Sequence, residues 1–95
     1  MQTVIVMHPN DNVATALADL AQHQEILVRI GNEVSKIRVK GIIPFGHKLA
    51  IRVIHKGDNI IKYGEVMGRA TQVIEPGEHA HIQNIESLRA RGDLA

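Results

Sequence analysis

The sequence predicts a small, mainly β domain with one short helix, and three observations carry that expectation. Turn signals recur at close intervals: His8-Pro9-Asn10, Gly31-Asn32, Pro44 to Gly46, Lys56-Gly57-Asp58, Tyr63-Gly64-Glu65 and Pro76-Gly77-Glu78. The apolar runs between them are only a few residues long and rich in Ile and Val, which suits short strands. Ile37 and Val39 alternate with Lys36, Arg38 and Lys40, the period of a strand with one buried and one wet face.

Taken in order, Thr3 to Met7 is a β-branched and apolar run closed by His8-Pro9-Asn10, a strand leading into a turn. Val13, Ala16, Leu17 and Leu20 then recur at the spacing of one helical face, and Asp11 or Asn12 can cap exposed backbone N–H groups, so a short helix is expected to end near Gln22 to Gln24. Ile26 to Ile30 and Glu33 to Lys40 read as a hairpin whose turn, Gly31-Asn32, tolerates positive φ. Gly41 to Gly46 contains Pro44, which cannot donate to a sheet ladder, and Leu49 to Ile54 resumes as a strand. Asn59 to Ile61 and Gln72 to Ile74 are further short runs among turns. Glu86 to Ala95 is polar and reads as a tail, residues 86–95, after a domain of residues 1–85. No internal repeat is expected.

With 95 residues and 44% hydrophobic content, the chain suffices for one domain with one modest core. It has no Trp, one Phe and one Tyr, so that core must be aliphatic. A domain of this size gains from burial against a partner, and homo-oligomerisation is one way to obtain it. The absence of Cys excludes disulfides, thiolate metal sites and cysteine nucleophiles. No stretch approaches the roughly 18 apolar residues of a membrane span, so no membrane partner and a cytoplasmic location are expected.

Residues 36–69 hold Lys36, Arg38, Lys40, Lys48, Arg52, Lys56, Lys62 and Arg69 against Asp58 and Glu65, whereas the whole chain has a net charge of +1. A basic middle attracts anions, although a solvated strand face would look the same. Nucleic acid is not expected, because stacking aromatics do not accompany the basic residues.

Several polar groups can carry chemistry. In a strand, His79, His81 and Gln83 share one face, and two histidines at that spacing can bind one metal ion. Two ligands are fewer than a catalytic site needs, and two surface histidines would have the same spacing. His47-Lys48 follows Gly46 directly ahead of a strand and suits a carboxylate ligand, as does Lys62-Tyr63-Gly64. Tyr63 can equally plug the aliphatic core. His8 lies near Asp11 and Asn12 in sequence, where a carboxylate can orient its ring or simply cap the helix. No serine-histidine-aspartate order, phosphate-binding glycine loop or two-histidine helix motif is present.

The ordered strings His8-Pro9-Asn10-Asp11-Asn12-Val13-Ala14, Ile43-Pro44-Phe45-Gly46-His47-Lys48-Leu49-Ala50, Ile61-Lys62-Tyr63-Gly64, Gly68-Arg69-Ala70, His79 to Asn84 and Ser87-Leu88-Arg89 resemble the altronate dehydratase family. The likeness is to the N-terminal domain of altronate and galactarate dehydratases, which also occurs as a separate small subunit in altronate-dehydratase-like and sulfolactate sulfo-lyase enzymes. It covers almost the whole chain. It implies an SAF-type domain with a β-clip fold, related to antifreeze-like domains, and a lyase that removes water from a hydroxylated sugar acid with iron(II) or another divalent metal.

The larger C-terminal part of those enzymes is missing from these residues, so a large catalytic subunit, or the rest of a longer chain, is expected to complete the site. Carried over residue by residue, the resemblance implies His47 as a catalytic group and Lys48, Lys62, Tyr63, Arg69, His81 and Asn84 as substrate-binding groups. The second histidine of the family's His-x-His-Asn pattern is Gln83 here, so the metal ligands stay unassigned, with His79 and His81 as candidates and most ligands expected on the partner. Dehydration needs a base for the proton next to the carboxylate and a positive centre for the charge that develops. The expected role of this chain is charge neutralisation and closure over the substrate. The alternative is a non-catalytic SAF-type module that binds a sugar acid, a glycan or another anionic ligand.

Overall fold

The structure, a computed structural model, describes residues 2–87. Within them the chain forms nine strands and no helix: β1 (Val4–Ile5), β2 (Val13–Ala16), β3 (Glu25–Ile30), β4 (Glu33–Arg38), β5 (Lys48–Ala50), β6 (Asn59–Lys62), β7 (Glu65–Ala70), β8 (His79–Ala80) and β9 (Ile85–Ser87). The mainly β expectation holds, and the strands are as short as the turn spacing implied.

The strands form three antiparallel sheets, ordered β1-β2-β5-β8, β3-β4 and β6-β7-β9. The first is the middle layer. Alternation along its strands sends Ala14, Ala16 and Leu49 into one cluster with Ile26, Val28 and Ile37 of the β3–β4 hairpin. The intervening residues, Val13, Ala50 and Ala80, join Ile60 and Ala70 of the β6-β7-β9 sheet in a second cluster. The pairs Ala14↔Leu49 and Val13↔Ala50 keep each face in register. A slip of one residue would exchange the two faces, so burial on both sides fixes the pairing.

This burial explains the error over the helix. The run expected to be helical is β2 followed by bends and an isolated bridge at Leu20. A strand covered on both faces reads as a continuous apolar run and loses its period of two. Val13, Ala14 and Ala16 are all buried, while Leu17, which a helical face would have hidden, is 41% exposed.

The supposed helix caps act across the molecule instead. The Asp11 carboxylate, fully buried, accepts hydrogen bonds from the backbone N–H groups of Tyr63 (3.1 Å) and Gly64 (2.8 Å). Asn12 accepts from the Ile61 N–H and donates to the Asn59 carbonyl, both at 2.8 Å. Together they bind the β6–β7 hairpin to the middle sheet. Its turn has positive φ at both central residues, Tyr63 (58°) and Gly64 (73°), the twist that suits a two-residue hairpin.

A short internal repeat, not anticipated from the sequence, organises the remaining connections. Leu20, Ile43, Ile54 and Ile74 are fully buried residues joined in the bridges Leu20↔Ile43 and Ile54↔Ile74. Three residues after each comes a positive φ, at His23, Gly46, Gly57 and Gly77. The next residue closes the turn, its N–H donating to the carbonyl three residues back: Gln24 to Ala21, His47 to Pro44, Asp58 to His55 and Glu78 to Glu75.

Glu86 and Ser87 belong to β9, which pairs with β7, so the ordered sheet runs past Ile85. The rest of the segment expected as a tail, residues 88–95, lies outside the described residues, with Leu88 and Arg89 of the family-like strings.

Two of the repeated turns separate backbone strain from crowding. Gly57 and Gly77 share φ near +90°, but a Cβ at Gly57 meets nothing within 4 Å whereas one at Gly77 would run into the Arg38 carbonyl oxygen. Gly57→Ala is expected to cost about 1–2 kcal/mol from the backbone conformation alone, and Gly77→Ala clearly more. Asp11→Ala, which removes the charged acceptor of two backbone N–H groups, is expected to cost about 3 kcal/mol. Urea unfolding followed by far-ultraviolet circular dichroism measures all three, and equal losses at Gly57 and Gly77 would contradict the crowding account.

Candidate functional site

The site grows from the one member of the turn repeat that breaks its pattern. In three turns the side chain after the positive-φ position accepts a hydrogen bond from the backbone N–H three residues earlier: Gln24 from Ala21 (2.9 Å), Asp58 from His55 (3.0 Å) and Glu78 from Glu75 (2.7 Å). In the fourth, the earlier residue is Pro44, which has no N–H to donate. The residue in the capping position is His47, and its imidazole turns to His79 instead.

Pairing of β5 with β8 sets Leu49 opposite His79 and Lys48 opposite Ala80, so the two histidine-bearing segments meet at one end of the middle sheet. His47 Nδ1 lies 2.9 Å from His79 Nε2. The His47, His79 and His81 rings stack on one another with centroids 4.7–5.2 Å apart. One ring nitrogen from each lies within 4.8 Å of the other two. The expected His79–His81 pair is therefore a trio, and the third member is the residue that was expected to act in catalysis.

The strand expected to carry His79, His81 and Gln83 on one face ends at Ala80, and residues 81–84 form a turn. Asn84 makes that turn. It is 4% exposed, its Oδ1 accepts from the His81 N–H (2.9 Å) and its Nδ2 donates to the His79 carbonyl (2.8 Å). Both ends of its amide are thus engaged with backbone, so the structure assigns it to holding the two histidines. Gln83 approaches the far nitrogen of His79, Nδ1, at 3.3 Å. Turned away from Ala80's buried position, Ile82 is 84% exposed.

Lys48 stands beside the trio, and Lys62 acts on Lys48. Burial, and then the neighbouring Lys62 ammonium, lower the Lys48 pKa from the usual lysine value. Burial, then the charges of His47, His81 and Lys48, likewise hold the His79 imidazole below the usual histidine value. Among the described residues neither lysine has a carboxylate partner; the ion pair there is Arg69–Glu86 at 2.7 Å. Lys48 and His81 open onto a groove of about 440 Å³ whose walls are Ile60, Met67, Ile82 and Ile85, with Glu86 and Ser87.

The other expected site residues fall differently. Tyr63 is no core plug: it is 52% exposed at the hairpin tip, with Lys62 Nζ 4.9 Å from its ring centroid. Arg69 is engaged by Glu86 and faces a separate groove with Lys56 and Thr71. His8 is exposed, accepts from the Asn10 N–H at Nδ1 and packs against Gly64, with no recorded bond to Asp11 or Asn12 side chains. The apolar groove wall was not anticipated, since its residues come from β6, β7, β9 and the last turn. Pro44 with His47, in an Ile-x-x-Gly repeat whose other members carry Asp or Glu after the glycine, is the signal that could have singled out His47.

Comparison with known proteins adds relatives to this geometry. The family model described as the altronate/galactarate dehydratase SAF domain matches residues 2–88. Altronate dehydratase of Bacillus subtilis (strain 168) is 41% identical over 87 residues, covering 92% of this chain and 17% of that protein. Altronate dehydratase of Escherichia coli (strain K12) is 44% identical over 80 residues, covering 84% of this chain and 15% of that protein. The (2R)-sulfolactate sulfo-lyase subunit alpha of Paracoccus pantotrophus is 35% identical over 63 residues, covering 66% of this chain and 94% of that subunit. The chain thus spans about one sixth of the two altronate dehydratases and nearly all of a subunit named as part of an assembly.

The lowered His79 pKa has a consequence for metal-free protein. The unfolded chain holds the proton at pH values where the folded chain has released it, so folding stability is greatest above the ordinary histidine pKa and falls as pH drops towards the lowered one. An NMR titration should place His79 below the ordinary histidine range, and urea midpoints should fall less steeply with acidification in His79→Gln. An unshifted His79 would remove the electrostatic picture of the cluster.

Proposed function

This chain belongs to the altronate/galactarate dehydratase SAF domain family, and from that membership we propose that it is the substrate-gripping part of a lyase acting on hydroxylated sugar acids. The rest of the active site lies on a larger catalytic subunit or on the remainder of a longer polypeptide. The observation that carries this reading is the uncompensated positive charge at one end of the middle sheet, where Lys48 stands beside three imidazoles with Lys62 near it, neither lysine having a carboxylate partner among the described residues.

A substrate carboxylate supplies the missing counter-charge. Lys48 holds it at the mouth of the groove, and Lys62, on the hairpin fixed by Asp11, adds a second charge from the side. A half-buried ammonium is worth more to an anion than a solvated one, because less water screens the pair. The reading includes a divalent metal, iron(II) or another, which when bound supplies positive charge where negative charge develops on the acid. In this reading the base that removes the proton next to the carboxylate belongs to the larger part.

The groove wall supports completion by another polypeptide. Ile60, Met67, Ile82 and Ile85 offer no hydrogen bonds to a polyhydroxylated chain, whereas an exposed Ile82 beside Met67 suits protein burial. The name of the sulfo-lyase relative, a subunit alpha, is consistent with such an arrangement.

The test is an anaerobic assay of this chain joined with the polypeptide that carries the rest of the enzyme, supplied with divalent metal and a panel of aldonates, aldarates and sulfolactate. Turnover is expected for the two together and not for this chain alone. Lys48→Met should lower kcat/KM at least about tenfold, mainly through KM, as removal of a binding charge does. Equal rates for the isolated chain and the assembly would overturn the division of labour, and no turnover of any acid by the assembly would remove the lyase reading.

A further inference from the structure

The three imidazoles are poorly explained as packing. Each is half-buried rather than enclosed, and within the trio the recorded hydrogen bond is the one between His47 and His79. What they share is a set of ring nitrogens turned towards one another at short range, on a scaffold that gives up a backbone cap at His47 and spends a buried Asn84 amide to hold the other two.

We infer that His47, His79 and His81 form a three-nitrogen face for one first-row divalent metal ion, held by this chain itself rather than mainly by the larger part of the enzyme. This deepens the lyase reading: it rests on that reading for what the ion is used for, though not for whether it binds.

The geometry is close to what an ion requires. Two imidazole nitrogens bound at about 2.1 Å to one ion lie about 3.0 Å apart when octahedral neighbours and about 3.4 Å apart when tetrahedral. His47 Nδ1 and His79 Nε2 are already 2.9 Å apart, and the whole trio lies within 4.8 Å. Side-chain rotation of His81, whose backbone is held by Asn84, completes the face. Three histidines hold metal ions with at least one position open to a further ligand, so a substrate oxygen delivered by Lys48 would find room.

Gln83 gains a role that its chemistry as a ligand did not suggest. It contacts His79 at Nδ1, the nitrogen away from His47. The Gln83 side-chain NH2 lies 3.3 Å from His79 Nδ1 and donates to the His79 carbonyl oxygen, also at 3.3 Å, so Gln83 holds both the ring and the backbone of His79 from the side away from His47. The position where the family pattern has another histidine therefore acts behind the ligand rather than as one.

The donor set also selects the ion. Neutral imidazoles without thiolate or carboxylate suit iron(II), cobalt(II), nickel(II) or zinc(II) and do not suit magnesium or calcium, which prefer oxygen.

The decisive experiment titrates metal-free chain with cobalt(II), followed by visible absorption, and with zinc(II) by calorimetry, using magnesium as the control. One ion per chain is expected, with no binding of magnesium. His47→Gln, His79→Gln and His81→Gln should each weaken binding at least about tenfold, and by more than Gln83→Ala. His55→Ala, at an exposed turn, should change nothing. In the unaltered chain, cobalt(II) should shift the NMR signals of these three rings and not those of His23 or His55, which tests the assignment without any variant. Absence of saturable binding, or shifts at other histidines, would overturn the inference while leaving the lyase reading intact if the assembly still turns over. Binding at the trio with no turnover by any assembly would do the reverse.

Discussion

The antiparallel pairing of β5 with both β2 and β8 is the constraint from which the rest of the molecule follows. Leu49 and Ala50 are fully buried on opposite faces of the middle sheet, one in each core cluster. No neighbouring register keeps both covered, because a shift by one residue would bring Lys48 into a core position. The same register that satisfies the core sets His79 opposite Leu49 and places His47, one residue before the strand, beside it. The polar cluster is therefore positioned by apolar packing, which is stiff, rather than by its own contacts, which are weak.

Around that sheet the chain reuses one turn, and the exception is informative. Gln24, Asp58 and Glu78 each close their turn with a side-chain acceptor. Pro44 removes the donor that such an acceptor would meet, so nothing is left unpaired when His47 turns away. A helix-like or strand-like change elsewhere would have cost packing; this change costs one surface hydrogen bond, worth about 1 kcal/mol. That is an inexpensive place for a fold to turn a side chain towards a distant partner.

Asp11 contributes differently. A buried carboxylate without an ion pair is tolerated when several donors converge on it, and the Tyr63 and Gly64 N–H groups do so. The benefit appears at the site: the hairpin tip is fixed where Lys62 can act on Lys48. There burial, and then the Lys62 ammonium, lower the Lys48 pKa from the usual lysine value.

Much of this was legible in the residues alone. The short strands, the turn positions, the Gly31-Asn32 hairpin, the basic middle and the family-like strings all follow from local chemistry: positive φ needs glycine or asparagine, proline ends ladders, and alternation marks a half-buried strand. The identity of β2 was not legible, because a strand buried on both faces has no alternation and its flanking Asp11 and Asn12 resemble helix caps. Nor was the trio, since His47 lies more than thirty residues from His79 and only the pairing of β5 with β8 joins them. The sequence by itself thus determined which groups are available and that the chain is a β domain of this family. The tertiary structure decided which groups meet, that Asn84 braces the turn carrying His81, and that Arg69 is engaged by Glu86, because those outcomes depend on register and two-sided burial between distant segments.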